Sequence, residues 1–192
     1  MRAPLSHRRA GAHHRAAPDR GTALHPERTA DPAVLRWLVH GVVLPFAGPL
    51  VSAPGLDGLL GSELEGVEAD PGCLLVTAAP GRDWHELGPL VRTALITALK
   101  DVDAWVPGPH AQRLGPDEAL RWCAQELIDG PVGEIATAHG GSIELVEARE
   151  GVVRVRMRGA CRGCPAAVIT MKQRLEAQLR RRAPGLRGVE EL

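Results

Sequence analysis

The sequence has few aromatic residues: one Phe, four Trp and no Tyr among 192 residues. Aromatic residues make up 3% of the chain, although hydrophobic residues as a whole make up 44%. Any core must therefore be built mainly from Val, Leu, Ile and Ala. Because no aromatic residue is interleaved with the basic residues near the carboxy terminus, we expect no nucleic-acid partner.

The sequence also lacks several features that would assign it to other classes of protein. Its four cysteines, Cys73, Cys123, Cys161 and Cys164, are too few for a disulfide framework in a chain of this length. It has no signal-peptide apolar region and no run of about 18 apolar residues. It has no phosphate-binding loop, Ser/His/Asp set or paired catalytic carboxylates. We therefore predict a cytoplasmic protein without a membrane partner that is not an enzyme.

Charge is balanced overall but unevenly distributed. The formal net charge is +0, yet the segment from Val152 to Leu192 holds nine Arg and one Lys against three Glu. A basic segment around a cysteine pair stabilises thiolates and would offset the negative charge of a thiolate-bound cluster. The alternative interpretation is a solvated basic helix.

The stretch with the clearest chemistry holds Cys161 and Cys164, spaced so that both sulfurs can approach one soft ion or cluster. Gly159 and Gly163 give its backbone conformational freedom. Pro165 suits the first position of a helix. A helix that starts there directs its positive end at Cys164 and lowers the pKa of that thiol.

Hydrophobic patterning predicts an α+β fold with two small domains, each a short sheet packed against helices. The predicted boundaries are a disordered tail over 1–21, a first domain over 22–101, a Pro/Gly-rich linker over 102–116 and a second domain over 117–192.

In the first domain, an apolar run in the strand 33–40 suggests burial on both faces of the sheet. Residues 41–54 are expected to form a loop and residues 55–62 a short helix. A hairpin up to Ala78 precedes a helix with Asp83 as its N-cap.

In the second domain, helices are predicted over 117–129 and 132–138, followed by two strands. In the second of these, Val153, Val155 and Met157 alternate with arginines. After the cysteine pair, Val168, Met171, Leu175 and Leu179 form one helical stripe, and residues 186–192 are a candidate third strand.

Together these features resemble a known family, the NifU-like (Nfu) iron–sulfur cluster scaffold and carrier proteins. The carboxy-terminal resemblance covers about 117–192 and rests on His139-Gly140-Gly141-Ser142-Ile143-Glu144-Leu145-Val146, the strand pair, Gly159-Ala160-Cys161 through Cys164-Pro165, and the helix that follows. Residues 23–101 resemble the Nfu amino-terminal domain through His25-Pro26, Leu35-Arg36-Trp37, Glu65-Gly66-Val67, Leu74-Leu75-Val76-Thr77 and the Trp84 helix. The family has an acid on each side of its Gly-Gly pair, where this chain has His139 and Ser142.

The resemblance implies that Cys161 and Cys164 are ligands of an iron–sulfur cluster, [4Fe–4S] in preference to [2Fe–2S], and that the amino-terminal domain helps to bind clients. Such a cluster needs four ligands, normally thiolates. One chain offers a single close pair, so we expect two chains to share one cluster as a homodimer. An exposed, shared site suits a carrier that gives its cluster to apo iron–sulfur client proteins.

Other interpretations of the pair remain open. A zinc ion shared between chains would use the same four thiolates, and a thiol–disulfide oxidoreductase would use one pair for catalysis. The pair could also be inert. Cys73 and Cys123 are expected to be small core residues, and His139 a solvent-exposed turn residue. Arg158 and Arg162 either stabilise cluster charge or are ordinary surface residues.

Overall fold

The computed structural model describes residues 22–160 and 165–192, with side chains in the last helix described from Ile169 onward. Two units are described, each with its own buried hydrophobic cluster. The first is a sheet packed against one α-helix, and the second is a sheet packed against three. The predicted α+β class is therefore confirmed. The predicted disordered tail, 1–21, lies outside the described residues.

The first unit is a sheet of seven strands. Five strands precede its helix and two short ones follow: β1 (Ala23–Arg28), β2 (Val34–His40), β3 (Phe46–Ser52), β4 (Leu64–Asp70), β5 (Cys73–Ala78), β6 (Val106–Pro107) and β7 (Gln112–Arg113). The strand order is β1-β2-β5-β4-β3-β6, and β7 also pairs with β3. The predicted hairpin is present as β4–β5, which turns at Asp70-Pro71-Gly72-Cys73.

Helix α1 (Trp84–Ala98) covers one face of this sheet. Asp83 is its N-cap, as predicted, and accepts a hydrogen bond at Oδ1 from the His85 backbone N–H at 3.0 Å. The buried side of α1 presents Leu87, Val91 and Leu95 to the core.

Two local predictions in this unit are wrong. The expected loop over 41–54 contains β3, which forms the pairs Gly48–Ala69 and Pro49–Glu68 with β4. The expected helix over 55–62 is a series of turns. Its glycines explain this, because Gly55 has φ +87° and Gly61 has φ +78°, values that a right-handed helix does not contain.

The stretch with linker composition, 102–116, contributes to the first unit. It forms a 3-10 turn over Val102–Ala104 and supplies β6 and β7. Between the 3-10 turn and β6, Trp105 is buried and donates its indole N–H to the Ala98 carbonyl at 2.9 Å. Its ring meets Phe46 edge-on, with 6.3 Å between ring centroids. The domain boundaries themselves stay a prediction.

The second unit contains three helices and a three-stranded sheet: α2 (Pro116–Asp129), α3 (Pro131–Ala138), β8 (Gly141–Arg149), β9 (Val152–Gly159), α4 (Pro165–Arg182) and β10 (Gly188–Glu191). The strand order is β10-β9-β8, with β8 antiparallel and β10 parallel to β9. The predicted strands and helices are confirmed to within a few residues. None of the described helices is long and apolar enough to cross a membrane.

The second unit packs on the face of the first sheet that is opposite α1. Arg36 and Leu38 of β2 lie on this outer face, since Trp37 and Val39 point into the core. They are paired with Leu75 and Cys73 of β5. Leu38 and Cys73 are buried although they are outside both hydrophobic clusters.

Polar contacts hold the two units together. Glu126 of α2 pairs with Arg36 of the first sheet through Oε1 and lies 3.1 Å from Nη1 of Arg182 through Oε2. The Gly41 backbone N–H donates to the Arg181 carbonyl at 2.7 Å. We call the region formed by Arg36, Cys73, Cys123, Glu126 and Arg182 the interdomain seam.

Candidate functional site

The turn between α3 and β8 lies against the end of β9, where the cysteine pair follows in sequence. Gly141 is paired with Gly159, and the Ala160 backbone N–H donates to the Gly140 carbonyl at 3.1 Å. The last described residue before Cys161 is thus fixed by a hydrogen bond to this turn. Cys161 and Cys164 lie outside the described residues, so their role as ligands stays a prediction.

Gly159 cannot be replaced by a larger residue without a change in the backbone. A Cβ on Gly159 would lie 2.6 Å from the Gly140 carbonyl oxygen, and the residue has φ +64°. Gly140 also has a positive φ, +74°. Both values lie in the left-handed region that glycine tolerates best. Gly159 is therefore required for the close approach of two backbone segments, which the sequence alone did not show.

Helix α4 runs from the cysteine pair into the core of the second unit. Pro165 is the first described residue of α4 and directly follows Cys164 in sequence. Met171, Leu175 and Leu179 are buried, which confirms these members of the predicted stripe. The partial positive charge at a helix N-terminus favours an anion there, so this placement would stabilise a thiolate at Cys164.

Arg158, on β9 beside the turn, already has a counter-ion. Its Nη2 and Nε atoms lie 2.7 Å and 3.1 Å from the same carboxylate oxygen of Glu144, on the adjacent strand. This hydrogen bonding and the charge of Arg158 lower the pKa of Glu144. The positive charge of Arg158 is therefore shared with Glu144. Arg162 lies outside the described residues.

His139 and Ser142, which stand where the family has acids, are both exposed. His139 is the C-cap of α3, and Ser142 is paired with Arg158 across the hairpin. The expectation of a solvent-exposed turn histidine is confirmed. Both side chains lie at the surface beside the turn that contacts Gly159 and Ala160.

Cys73 and Cys123 are buried, as predicted, with exposed fractions of 3% and 1%. Burial raises the pKa of Cys73 and raises that of Cys123 to about 11, so both are protonated at neutral pH. Within residues 22–160 and 165–192, no group of three or more His, Cys, Asp or Glu side chains could hold a metal ion. In this part of the chain, nothing competes with Cys161 and Cys164 as a site for a metal.

Sequence reasoning missed the polar side of the interdomain seam. Arg36, Glu126 and Arg182 are separated by long stretches of chain, and no motif joins them. The sequence indicated this contact only through the apolar side chain of Leu38 on the outer face of its strand. That side chain predicted burial of the outer face but not which element covers it.

Comparison with known protein families identifies the domain that includes the cysteine pair. The family described as "NifU-like domain" matches residues 125–190, which include the turn at Gly140, both cysteines and α4. The chain carries a NifU-like domain over residues 125–190. The NifU-like match begins within α2 and ends in β10, so it covers most of the second unit.

Curated relatives that the chain matches include proteins from flies and from a bacterium. The "NFU1 iron-sulfur cluster scaffold homolog, mitochondrial" of Drosophila ananassae is 23% identical over 123 residues, which cover 62% of this chain and 43% of the relative. The Drosophila persimilis protein of the same name is 27% identical over 86 residues, 45% of this chain and 30% of the relative.

A bacterial relative is the "Fe/S biogenesis protein NfuA" of Xanthomonas axonopodis pv. citri (strain 306). It is 35% identical over 75 residues, which cover 38% of this chain and 36% of the relative. In each case the chain spans less than half the length of the curated relative that it matches.

Proposed function

We propose that this protein is an iron–sulfur cluster scaffold and carrier that binds a cluster through Cys161 and Cys164 and transfers it to apo-proteins. The observation that carries the proposal is the NifU-like match over residues 125–190, which includes both cysteines. The printed names of the relatives, iron–sulfur scaffold and Fe/S biogenesis proteins, support the same role. On this proposal the protein is not an enzyme and acts in the cytoplasm.

The number of thiols supports a cluster shared between two chains. An iron–sulfur cluster is normally held by four thiolates, and one chain offers the pair Cys161 and Cys164. Cys73 and Cys123 are buried and protonated, so they are poor candidates for the remaining ligands. A homodimer with one cluster between two pairs meets the requirement, and we propose [4Fe–4S] in preference to [2Fe–2S].

The described residues around the pair would shape the binding loop without enclosing the cargo. Gly159 and Gly140 fix the start of the loop, and α4 directs its positive end toward Cys164. The neighbouring His139 and Ser142 are exposed. A site with few surrounding contacts suits a protein that must release its cluster to a client.

Anaerobic reconstitution with iron and sulfide tests the proposal. Visible and Mössbauer spectra report the cluster, and size-exclusion mass reports the assembly. We expect one sulfide-bridged cluster per dimer, lost in Cys161→Ser or Cys164→Ser. Matched controls are Cys73→Ser and Cys123→Ser, which should retain the cluster.

Transfer is tested by mixing the loaded protein with an apo iron–sulfur protein that regains activity on receiving a cluster. Recovery that persists with an iron chelator present in solution supports direct transfer. A colourless monomer with a readily cycled Cys161–Cys164 disulfide would contradict the carrier proposal and favour a thiol–disulfide oxidoreductase.

A further inference from the structure

A cavity of about 660 Å³ lies between the outer face of the first sheet and helix α2. Arg36, Cys73 and Leu75 line its sheet side, and Cys123 and Trp122 line its helix side. Trp122 is 49% exposed, so the cavity has a solvent-accessible edge. The two domains thus each contribute one free thiol to the lining of the same space.

The hairpin between β4 and β5 brings the first thiol close to the second. Gly72 directly precedes Cys73, and a Cβ on Gly72 would lie 3.6 Å from Cys123 Sγ. The same position lies 3.5 Å from Cδ of Arg182, so the turn packs directly on α2 and α4. The chain segment that carries Cys73 therefore contacts the Cys123 side chain.

One guanidinium group links the surroundings of both thiols. Arg36 donates its Nε–H to Cys73 Sγ at 3.5 Å and pairs through Nη2 with Glu126. Glu126 follows Cys123 by three residues on α2, so the two side chains are neighbours on one face of that helix. Arg182 adds a second, buried cation to the seam. Cationic side chains next to a thiol favour its reactive thiolate form.

We propose that Cys73 and Cys123 form a second dithiol site, which a peroxide oxidises to a disulfide between the two domains. This site is separate from the Cys161–Cys164 pair, and the proposal does not depend on cluster binding. Its effect would be to join the outer face of the first sheet covalently to α2.

The chemistry takes place in two balanced steps. First, the Cys73 thiol reacts with hydrogen peroxide to give a sulfenic acid and one water, with sulfur oxidised and peroxide oxygen reduced. Second, the Cys123 sulfur attacks the sulfenic sulfur of Cys73. The S–S bond forms, the S–OH bond breaks, and the hydroxyl leaves as a second water with the thiol proton. Cys73 reacts first because Arg36 is hydrogen-bonded to its sulfur.

Burial sets the rate of this reaction. Because burial raises the pKa of both thiols, the thiolate fraction is small at neutral pH. We therefore expect slow oxidation near pH 7 and faster oxidation as the pH rises. Screening of the Arg36–Glu126 pair by salt should also speed it, since this pair holds the cavity walls together.

The test uses the full chain with Cys161→Ser and Cys164→Ser together, so that only two thiols remain. After peroxide treatment and removal of excess oxidant, we expect a monomer that has lost two hydrogens by intact mass. The number of thiols that react with an alkylating reagent in denaturant should fall from two to zero and return to two after reduction. Peptide mapping should find one linked pair, Cys73 with Cys123.

Matched controls add Cys73→Ser or Cys123→Ser to this background, which should abolish the two-hydrogen loss. Two alkylatable thiols after peroxide, separate sulfinic acids, or a disulfide between chains would each overturn the proposal. If the background variant does not fold by circular dichroism, peptide mapping of the oxidised wild-type chain decides the matter. There, a Cys73–Cys123 link supports the proposal and its absence overturns it.

Discussion

Arg182, the last residue of α4, is 5% exposed and has its Nη1 atom 3.1 Å from a carboxylate oxygen of Glu126. Among the described residues, neither Nη1 nor Nε of Arg182 has a hydrogen-bond partner with suitable geometry. The charge of Glu126 is therefore what compensates this buried cation. The same carboxylate also pairs with Arg36, so one side chain serves both domains.

Removal of this charge should loosen the interdomain seam. In Glu126→Gln the buried Arg182 loses its counter-ion, and we expect the free energy of unfolding to fall by about 1–3 kcal/mol. Urea denaturation measures the loss. Cys73 and Cys123 should also react faster with Ellman's reagent under native conditions, because the seam covers them.

Glu176→Gln is the matched control for Glu126→Gln. Glu176 pairs with Arg180 within α4, on an exposed part of the helix, and such pairs contribute only about 0.3–0.5 kcal/mol. Equal stability and equal thiol reactivity of the two variants would show that the Glu126 network does not hold the domains together.

Gly159→Ala should disturb the cysteine loop. The new Cβ would meet the Gly140 carbonyl oxygen and would stand on a residue with φ +64°. A left-handed conformation costs a residue other than glycine about 1–2 kcal/mol, before the clash is counted. We expect lower stability and a lower yield of reconstituted cluster, measured by denaturation and by iron and sulfide content.

Gly185→Ala controls for the loss of a glycine. Gly185 has no positive φ, and a Cβ there would meet no atom within 4 Å. This variant should keep wild-type stability and cluster content. A Gly159→Ala protein that behaves identically would contradict the close approach of the two backbone segments.

Trp105→Ala should destabilise the first domain. The indole ring of Trp105 is buried against Phe46 and its N–H is hydrogen-bonded to Ala98. Truncation of a buried tryptophan typically costs about 3–5 kcal/mol. The control is Trp122, which is 49% exposed where Trp105 is 4% exposed, so Trp122→Ala removes less buried surface. If thermal unfolding shows equal losses for both, the stretch 102–116 does not pack as the structure describes.

The free energy of unfolding should depend on pH through His40. Burial, followed by the charges of Arg182, Arg181 and His25, lowers the pKa of His40. The unfolded chain then binds a proton near pH 6.5 while the folded chain does not, so stability is full above about 6.5 and falls as the pH drops toward the lower folded value. His40→Asn should flatten this dependence between about pH 7.5 and 5.

His110→Asn is the matched control, because His110 is an exposed residue of the first unit. Urea denaturation at a series of pH values gives the slopes for both variants. If the free energy of unfolding of His40→Asn depends on pH as steeply as that of the wild-type protein, other groups are responsible for the loss of stability.

The second domain was the easier one to predict, for a physical reason. Its strands and helices are local amphipathic segments, in which Val153, Val155 and Met157 alternate and Leu175 and Leu179 follow a helical period. The turn at Gly140 directly precedes β8, and the cysteine pair follows soon after β9 in sequence. The pairing of β8 with β9 was therefore enough to bring the Gly140 turn to Gly159 and Ala160, which precede the cysteine pair in sequence.

β3 could not be predicted in the same way. Pro45 and Pro49 favour a loop, and the partners that make Phe46–Ser52 a strand include β6 and β7, more distant in sequence. Long-range pairing overrides the local preference. The burial of Leu38 could not be predicted from the local sequence for the same reason, because it follows from contact with another domain.

Helix α4 connects the two chemically distinct regions of the molecule. It has 18 residues, so at about 1.5 Å per residue it is a rod of about 27 Å. One end adjoins the cysteine loop and the other carries Arg182. A tilt of this rod displaces both ends together. Where binding at the cysteine loop favours one orientation of α4, the same free energy favours one arrangement of the two domains. The arrangement of the domains in turn changes the affinity of the loop by the same amount.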